Sequence, residues 1–269
     1  MQRIILLVSN LQGLRRFLFA WTSGAICTLA FDPFLLTPVL LISFSNLYLL
    51  INSRSDLRGA FFDGWSFGFG FFLTGLYWIS NALLIGGDQY SWLLPFASIL
   101  LPALLALFVS FGMVFAKLFW VSGPLGALSF SCGWVVGEIV RGHIFGGFPW
   151  NLIGYTWTWS SIVLQSASII GIYGISFITL ILVTTPVIIL QYGKSRKYYL
   201  WTFVSLIILG SLSLIMFGIE RLQTSSNDVV PNITLRLVQP NIQQSKKWDP
   251  ENIENNLNKL LALSTTSRT

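Results

Sequence analysis

Seven apolar runs, each ended by a short polar break, divide the first 218 residues of the chain: about 14–30, 35–51, 60–84, 92–116, 124–140, 162–190 and 198–218. A helix needs ~20 apolar residues to cross a hydrocarbon layer, with a lower bound near 17, so each run reads as a transmembrane span. The breaks carry turn chemistry. Phe31-Asp32-Pro33-Phe34 separates the first two runs, because Pro cannot continue a helix and Asp favours a turn. A polar connection from Asn52 to Arg58 and a loop at Gly86-Gly87-Asp88-Gln89 follow. Pro95 and Pro102 lie on one side of the fourth run and predict a bend. In the third run, Gly64, Gly68 and Gly75 fall on one face, which predicts a groove for close helix approach. Asp63 sits in the first turn of that helix, where the positive end of the dipole tolerates an anion at the interface.

The pattern changes after residue 218. A linker, 219–232, leads to Ile233–Gln239, where Ile233, Leu235 and Leu237 alternate with Thr234, Arg236 and Val238 in the manner of a strand. Asp249-Pro250-Glu251 then starts a helix, with Asp as N-cap and Pro at the first position. Its apolar face is Ile253, Leu257, Leu260, Leu261 and Leu263. One strand and one helix cannot bury each other adequately. Residues 233–269 therefore read as the beginning of a water-soluble domain that this chain carries only in part. The expected fold is an all-α polytopic membrane protein of about seven transmembrane helices, followed by a short, incomplete α/β segment.

Composition removes most other classes. Hydrophobic residues make up 54% and charged residues 10% of the chain, and the mean hydropathy is +0.71; a soluble globular domain carries about 25% charged residues. The net charge of +6 does not mark a nucleic-acid binder, because the Lys and Arg are scattered between apolar runs. They report topology instead. With a cytoplasmic N-terminus, Arg3, Arg15, Arg16, Arg54, Arg58, Lys117, Lys194, Arg196 and Lys197 all fall inside, and only Arg141 falls in an outside loop between spans. That arrangement puts the C-terminal segment on the far side of the membrane. Cys27 and Cys132 lie in separate apolar runs, so neither a disulfide, a metal site nor a cofactor is expected.

The one long segment that is neither purely apolar nor plainly soluble is Glu138–Trp159, EIVRGHIFGGFPWNLIGYTWTW. Glu138 and Arg141, at i and i+3, are spaced to pair across one helical turn near the hydrocarbon edge, as a structural pair or as the polar floor of a site. Trp150 reads as an interfacial anchor or a binding residue, and His143 as a loop residue. Trp248, beside Lys246 and Lys247 in a polar loop, reads as an aromatic that packs on something, with lysines suited to phospholipid headgroups.

These residues carry a resemblance. Phe31-Asp-Pro-Phe34, Gly64-Trp-Ser-Phe-Gly-Phe-Gly70 with Gly75 and Trp78, Glu138 with Arg141-Gly142, Gly147-Phe-Pro-Trp150 and Gly154-Tyr155 occur in the order found in the membrane half of bacterial apolipoprotein N-acyltransferases. Val238-Gln-Pro-Asn-Ile-Gln243 and Lys247-Trp248-Asp249 resemble the opening of that family's nitrilase-like domain. The resemblance covers nearly the whole chain. It implies a multi-pass bacterial inner-membrane enzyme with a periplasmic C-terminal segment, 233–269 being the truncated start of the nitrilase-like domain. The implied substrates are a phospholipid acyl donor and a diacylglyceryl-lipoprotein whose N-terminal amine accepts the chain. It also implies lipid or substrate contacts at Trp150 and Trp248. The family's Glu, Lys and Cys, the last carrying the acyl thioester, have no matching positions here. No catalytic residue is therefore assigned, and the chain is expected either to be inactive alone or to be completed by a second polypeptide that supplies them. The alternative is a non-enzymatic lipid-binding or transport-like membrane module, for which Glu138, Arg141 and the glycine groove speak.

Overall fold

In the computed structural model, which describes residues 2–84, 88–193, 197–224 and 233–265, the apolar runs are helices. In chain order these are α1 Gln2–Ser9, α2 Gly13–Cys27, α3 Val39–Ser53, α4 Leu57–Gly75, α5 Asn81–Leu84, α6 Leu101–Leu118, α7 Gly126–His143, α8 Ser161–Leu164, α9 Ala167–Tyr192, α10 Lys197–Thr224 and α11 Ile253–Thr265. Three helical stretches are long and apolar enough to cross a membrane: Tyr90–Leu118, which contains α6, Ala167–Tyr192 and Tyr198–Thr224. Gly86, Gly87, Lys194, Arg196, positions 225–232 of the expected linker and positions 266–269 lie outside the described residues.

The chain divides into two compact units, residues 1–77 with 95–225 and residues 78–94 with 226–269. In the first, α4 packs against both α2 and α6, α7 packs on α6, and α9 packs on α7 and α3. The expected glycine face meets α6: a Cβ on Gly64 would lie 3.1 Å from Ser110 Cα, and one on Gly68 would lie 3.1 Å from Ala106 Cα. A second close approach grips α4 from the other side. A Cβ on Gly24 would lie 1.9 Å from the Phe67 carbonyl oxygen, and one on Gly70 2.0 Å from that of Trp21, so α2 and α4 touch backbone to backbone. Phe44, Tyr48, Phe67, Phe71 and Phe130 fill the interior, with Trp134 edge-on to Phe44 at 4.8 Å between ring centroids.

Irregularities fall where the sequence forces them. Between Pro95 and Pro102 the fourth run contains a π-helical turn, Phe96–Leu100, at the expected bend. The sixth run is not one helix: α8 ends at Leu164, and Gly171, at φ 65° and ψ 175°, interrupts α9 in a conformation that glycine alone adopts readily. In the third run α4 starts at Leu57, earlier than the apolar pattern indicates, because Asp56 caps it by accepting a 2.7 Å hydrogen bond from Gly59 N. That N–H holds the Asp56 carboxyl below the usual carboxylate range.

In the second unit, Asp249 caps the turn Pro250–Asn252 that leads into α11, as expected. The expected strand is absent: Ile233–Gln239 has no regular structure, and Leu237 is 97% exposed. A strand exists only as part of a ladder, and the described residues offer this segment no partner strand. What holds it is a hydrogen bond from the Arg236 guanidinium to the Ser264 carbonyl at the end of α11.

Candidate functional site

The segment after α7 is folded back on that helix by hydrogen bonds from both of its buried ionisable residues. Gly147 makes the turn possible: it adopts φ 82°, and a Cβ there would lie 2.3 Å from the Gly142 carbonyl oxygen. Phe148 N then donates to Arg141 O at 2.8 Å. From the same residue, the guanidinium Nη1 donates to Phe148 O at 2.6 Å and to Trp150 O at 2.5 Å. Glu138 Oε1 accepts from Ile153 N at 2.8 Å and from the Trp134 indole at 3.0 Å. Both side chains are 3% exposed.

The expected Glu138–Arg141 ion pair does not form; the ion pairs among the described residues are elsewhere. Spacing permitted the contact, but the returning loop presents part-buried carbonyls to the arginine and a buried N–H to the carboxyl. A backbone group buried without a partner costs ~2–7 kcal/mol. The two side chains therefore fasten the two ends of Phe148–Ile153. Arg141 also lies over the Phe72 ring, 5.0 Å from its centroid.

Further contacts tie the loop to its surroundings. Asn151, at φ 54°, sits against Gly75, where a Cβ would lie 2.4 Å from Asn151 Nδ2. Gly75 thus serves the loop and not the α6 groove. Gly154 N donates to Ser176 Oγ at 2.8 Å, and Trp157 Nε1 to Thr179 Oγ1 at 2.8 Å. Thr37 Oγ1 donates to Thr156 O at 3.0 Å and accepts from Trp159 Nε1 at 2.9 Å. On this fixed base Trp150 is 50% exposed and stacks on Phe148, with centroids 5.6 Å apart, while Phe145 is 98% exposed at φ 56°. His143 ends α7, its Nδ1 2.8 Å from Ile139 O. Glu138, Arg141 and Trp150 are therefore brought together. Trp248 stands in the second unit, 77% exposed, with Lys247 Nζ 5.7 Å from its ring centroid.

Glu138→Gln keeps an acceptor for both N–H donors and is expected to leave the melting temperature nearly unchanged. Glu138→Leu strands two buried donors at about 1–3 kcal/mol each. Thermal unfolding in detergent separates the two variants.

A second buried polar cluster was not anticipated. Asp63 is buried within the protein, and it accepts from two arginines: Arg16 Nη2 at 2.6 Å and Nε at 2.8 Å, and Arg54 Nε at 2.8 Å and Nη2 at 3.1 Å. Arg16 Nη2 also donates to Leu50 O at 2.7 Å. The hydrogen bond to Asp63 raises the Arg54 guanidinium further above its ordinary value. The described residues contain no cluster suited to a metal ion, and Cys27 and Cys132 are free thiols.

Comparison with known proteins places this architecture. The family model of the apolipoprotein N-acyltransferase N-terminal domain matches residues 23–185, a stretch that includes Glu138, Arg141 and Trp150. The chain belongs to the apolipoprotein N-acyltransferase family. The apolipoprotein N-acyltransferase of Rhodopseudomonas palustris is 36% identical over 95% of this chain and 48% of its own length. That of Brucella melitensis is 38% identical over 92% and 47%, and that of Rickettsia bellii 38% over 91% and 48%. The chain thus spans about half the length of the curated relatives it matches.

Proposed function

We propose that this chain is the membrane half of a bacterial lipoprotein N-acylation enzyme, and that its loop Phe148–Ile153 presents Trp150 to a lipid substrate at the membrane surface. The observation that carries this reading is the double fastening of that loop by Glu138 and Arg141, inside the stretch that matches the family. Acyl transfer needs an activated nucleophile beside a base. That chemistry is assigned to the half of the relatives' length outside the match, with a phospholipid as acyl donor and the N-terminal amine of a diacylglyceryl-lipoprotein as acceptor. The seven apolar runs, with the cytoplasmic N-terminus given by the charge pattern, form the scaffold in the inner membrane. Trp248 belongs to the segment leading toward the periplasmic chemistry. Exposed aromatics at Phe145, Trp150 and Trp159 suit a lipid-water boundary.

The test is co-expression of this chain with the C-terminal half of one of its relatives, in cells depleted of their own enzyme. Mass spectrometry of a lipoprotein N-terminus is expected to show the N-linked acyl chain. Trp150→Ala is expected to reduce it while leaving the amount of folded chain unchanged. An N-terminus that stays free although both halves are present and folded contradicts the proposal and favours a lipid-binding module without enzymatic function.

A further inference from the structure

A cleft of about 410 Å³ opens beside the arginine cluster, and its lining joins Arg16, Arg54 and Asp63 with the aromatic rings of Phe17, Phe62 and Trp65. That lining holds two guanidinium groups and one carboxylate, an excess of one positive charge. Asp63 fixes Arg16 and Arg54 in place but leaves donors over. Arg54 engages it through Nε and Nη2 only, so its Nη1 N–H groups have no partner among the described residues. Gly13, the first residue of α2, also lines the cleft, and the space beside it is open. The N-cap residue of α2, Gln12, makes no capping hydrogen bond through its side chain. The start of a fifteen-residue helix, with its positive dipole end, therefore borders the same space. Gly59 permits the arrangement: a Cβ there would lie 2.5 Å from Arg54 Cδ and Nε, so any larger residue displaces the arginine.

An anion with an apolar body matches this combination. We propose that the cleft holds the phosphate of an anionic phospholipid headgroup, using Arg54 and the start of α2, while its acyl chains lie along Phe17, Phe62 and Trp65. The charge pattern puts this cleft on the cytoplasmic side, opposite the Trp150 loop. It is thus a second lipid site, independent of the acyl-transfer reading. Charge-assisted contacts to phosphate are about twice as strong as neutral ones, and Arg is suited to them by its planar fork.

The experiment uses the purified 269-residue chain, equilibrated with vesicles of phosphatidylglycerol and phosphatidylcholine and then analysed by native mass spectrometry for retained lipid. Arg54→Gln leaves Asp63 paired with Arg16 and is expected to retain about tenfold less phosphatidylglycerol, the equivalent of one lost charged contact. Phe62→Ala, which leaves the ion cluster untouched, is expected to lower retention several-fold through the apolar wall. Arg58→Gln, at an exposed arginine outside the cleft, is the control and is expected to match the unaltered chain. Equal phosphatidylglycerol retention in Arg54→Gln or in Phe62→Ala overturns the proposal. So does binding of inorganic phosphate that depends on Arg54 when phosphatidylglycerol retention does not.

Discussion

Arg141→Ala is expected to lower the stability of the chain by about 3 kcal/mol or more, because two charged hydrogen bonds at ~1.5–3 kcal/mol each are lost together. The carbonyls of Phe148 and Trp150 lose their donor, and the Phe72 ring loses its cation. For a chain of this size the corresponding fall in melting temperature is about 6–12 °C. Differential scanning fluorimetry on the intrinsic tryptophans in detergent reads it. Arg141→Lys keeps a charged donor on a thinner head and is expected to recover part of the loss. Melting of Arg141→Ala within ~1 °C of the unaltered chain contradicts the fastening role.

The other large effect is expected at Asp63. Asp63→Ala leaves the buried Arg16 and the part-exposed Arg54 without a counter-charge, and removal of one partner from a buried pair, here Arg16–Asp63, costs about 3–5 kcal/mol. The sign of a second substitution identifies the cause. Adding Arg16→Met removes one stranded charge and substitutes an apolar chain of similar length, so the double variant is expected to be more stable than Asp63→Ala alone. A double variant that melts lower than the single one shows that packing around Arg16, and not charge balance, dominates there. Thermal unfolding of the three proteins side by side decides between these.

The helices were legible because burial in lipid demands long apolar runs, and each of the seven runs contains helix in the structure. The loop was legible as well: Glu138, Arg141 and Trp150 stood out as polar or amphipathic residues at the end of an apolar stretch. Their wiring was not. Spacing along one helix shows which side chains can meet, but not that a loop will return and offer Phe148 O, Trp150 O and Ile153 N as competing partners. The Arg16–Asp63–Arg54 cluster escaped for a related reason, since its members come from α2, α4 and the connection after α3. A signal was nevertheless present: Asp63 has only Gly59, Ala60, Ser66 and Phe67 at helical spacing, and an acid in an apolar run without a cation at that spacing requires one from elsewhere. The alternation in Ile233–Gln239 misled in the opposite direction, because period-two patterning describes what a strand would bury and not whether a neighbouring strand is present.

The measurement that tests the account most directly is hydrogen–deuterium exchange of the loop after α7 in the purified chain. With both ends fastened, the amides of Phe148 and Ile153, bonded to Arg141 O and Glu138 Oε1, are expected to exchange as slowly as those of α7. In Glu138→Leu the protection at Ile153 is expected to disappear while that of α7 remains. Exchange across 147–153 at the rate of an open loop in the unaltered chain contradicts the claim that α7 holds Trp150 in place.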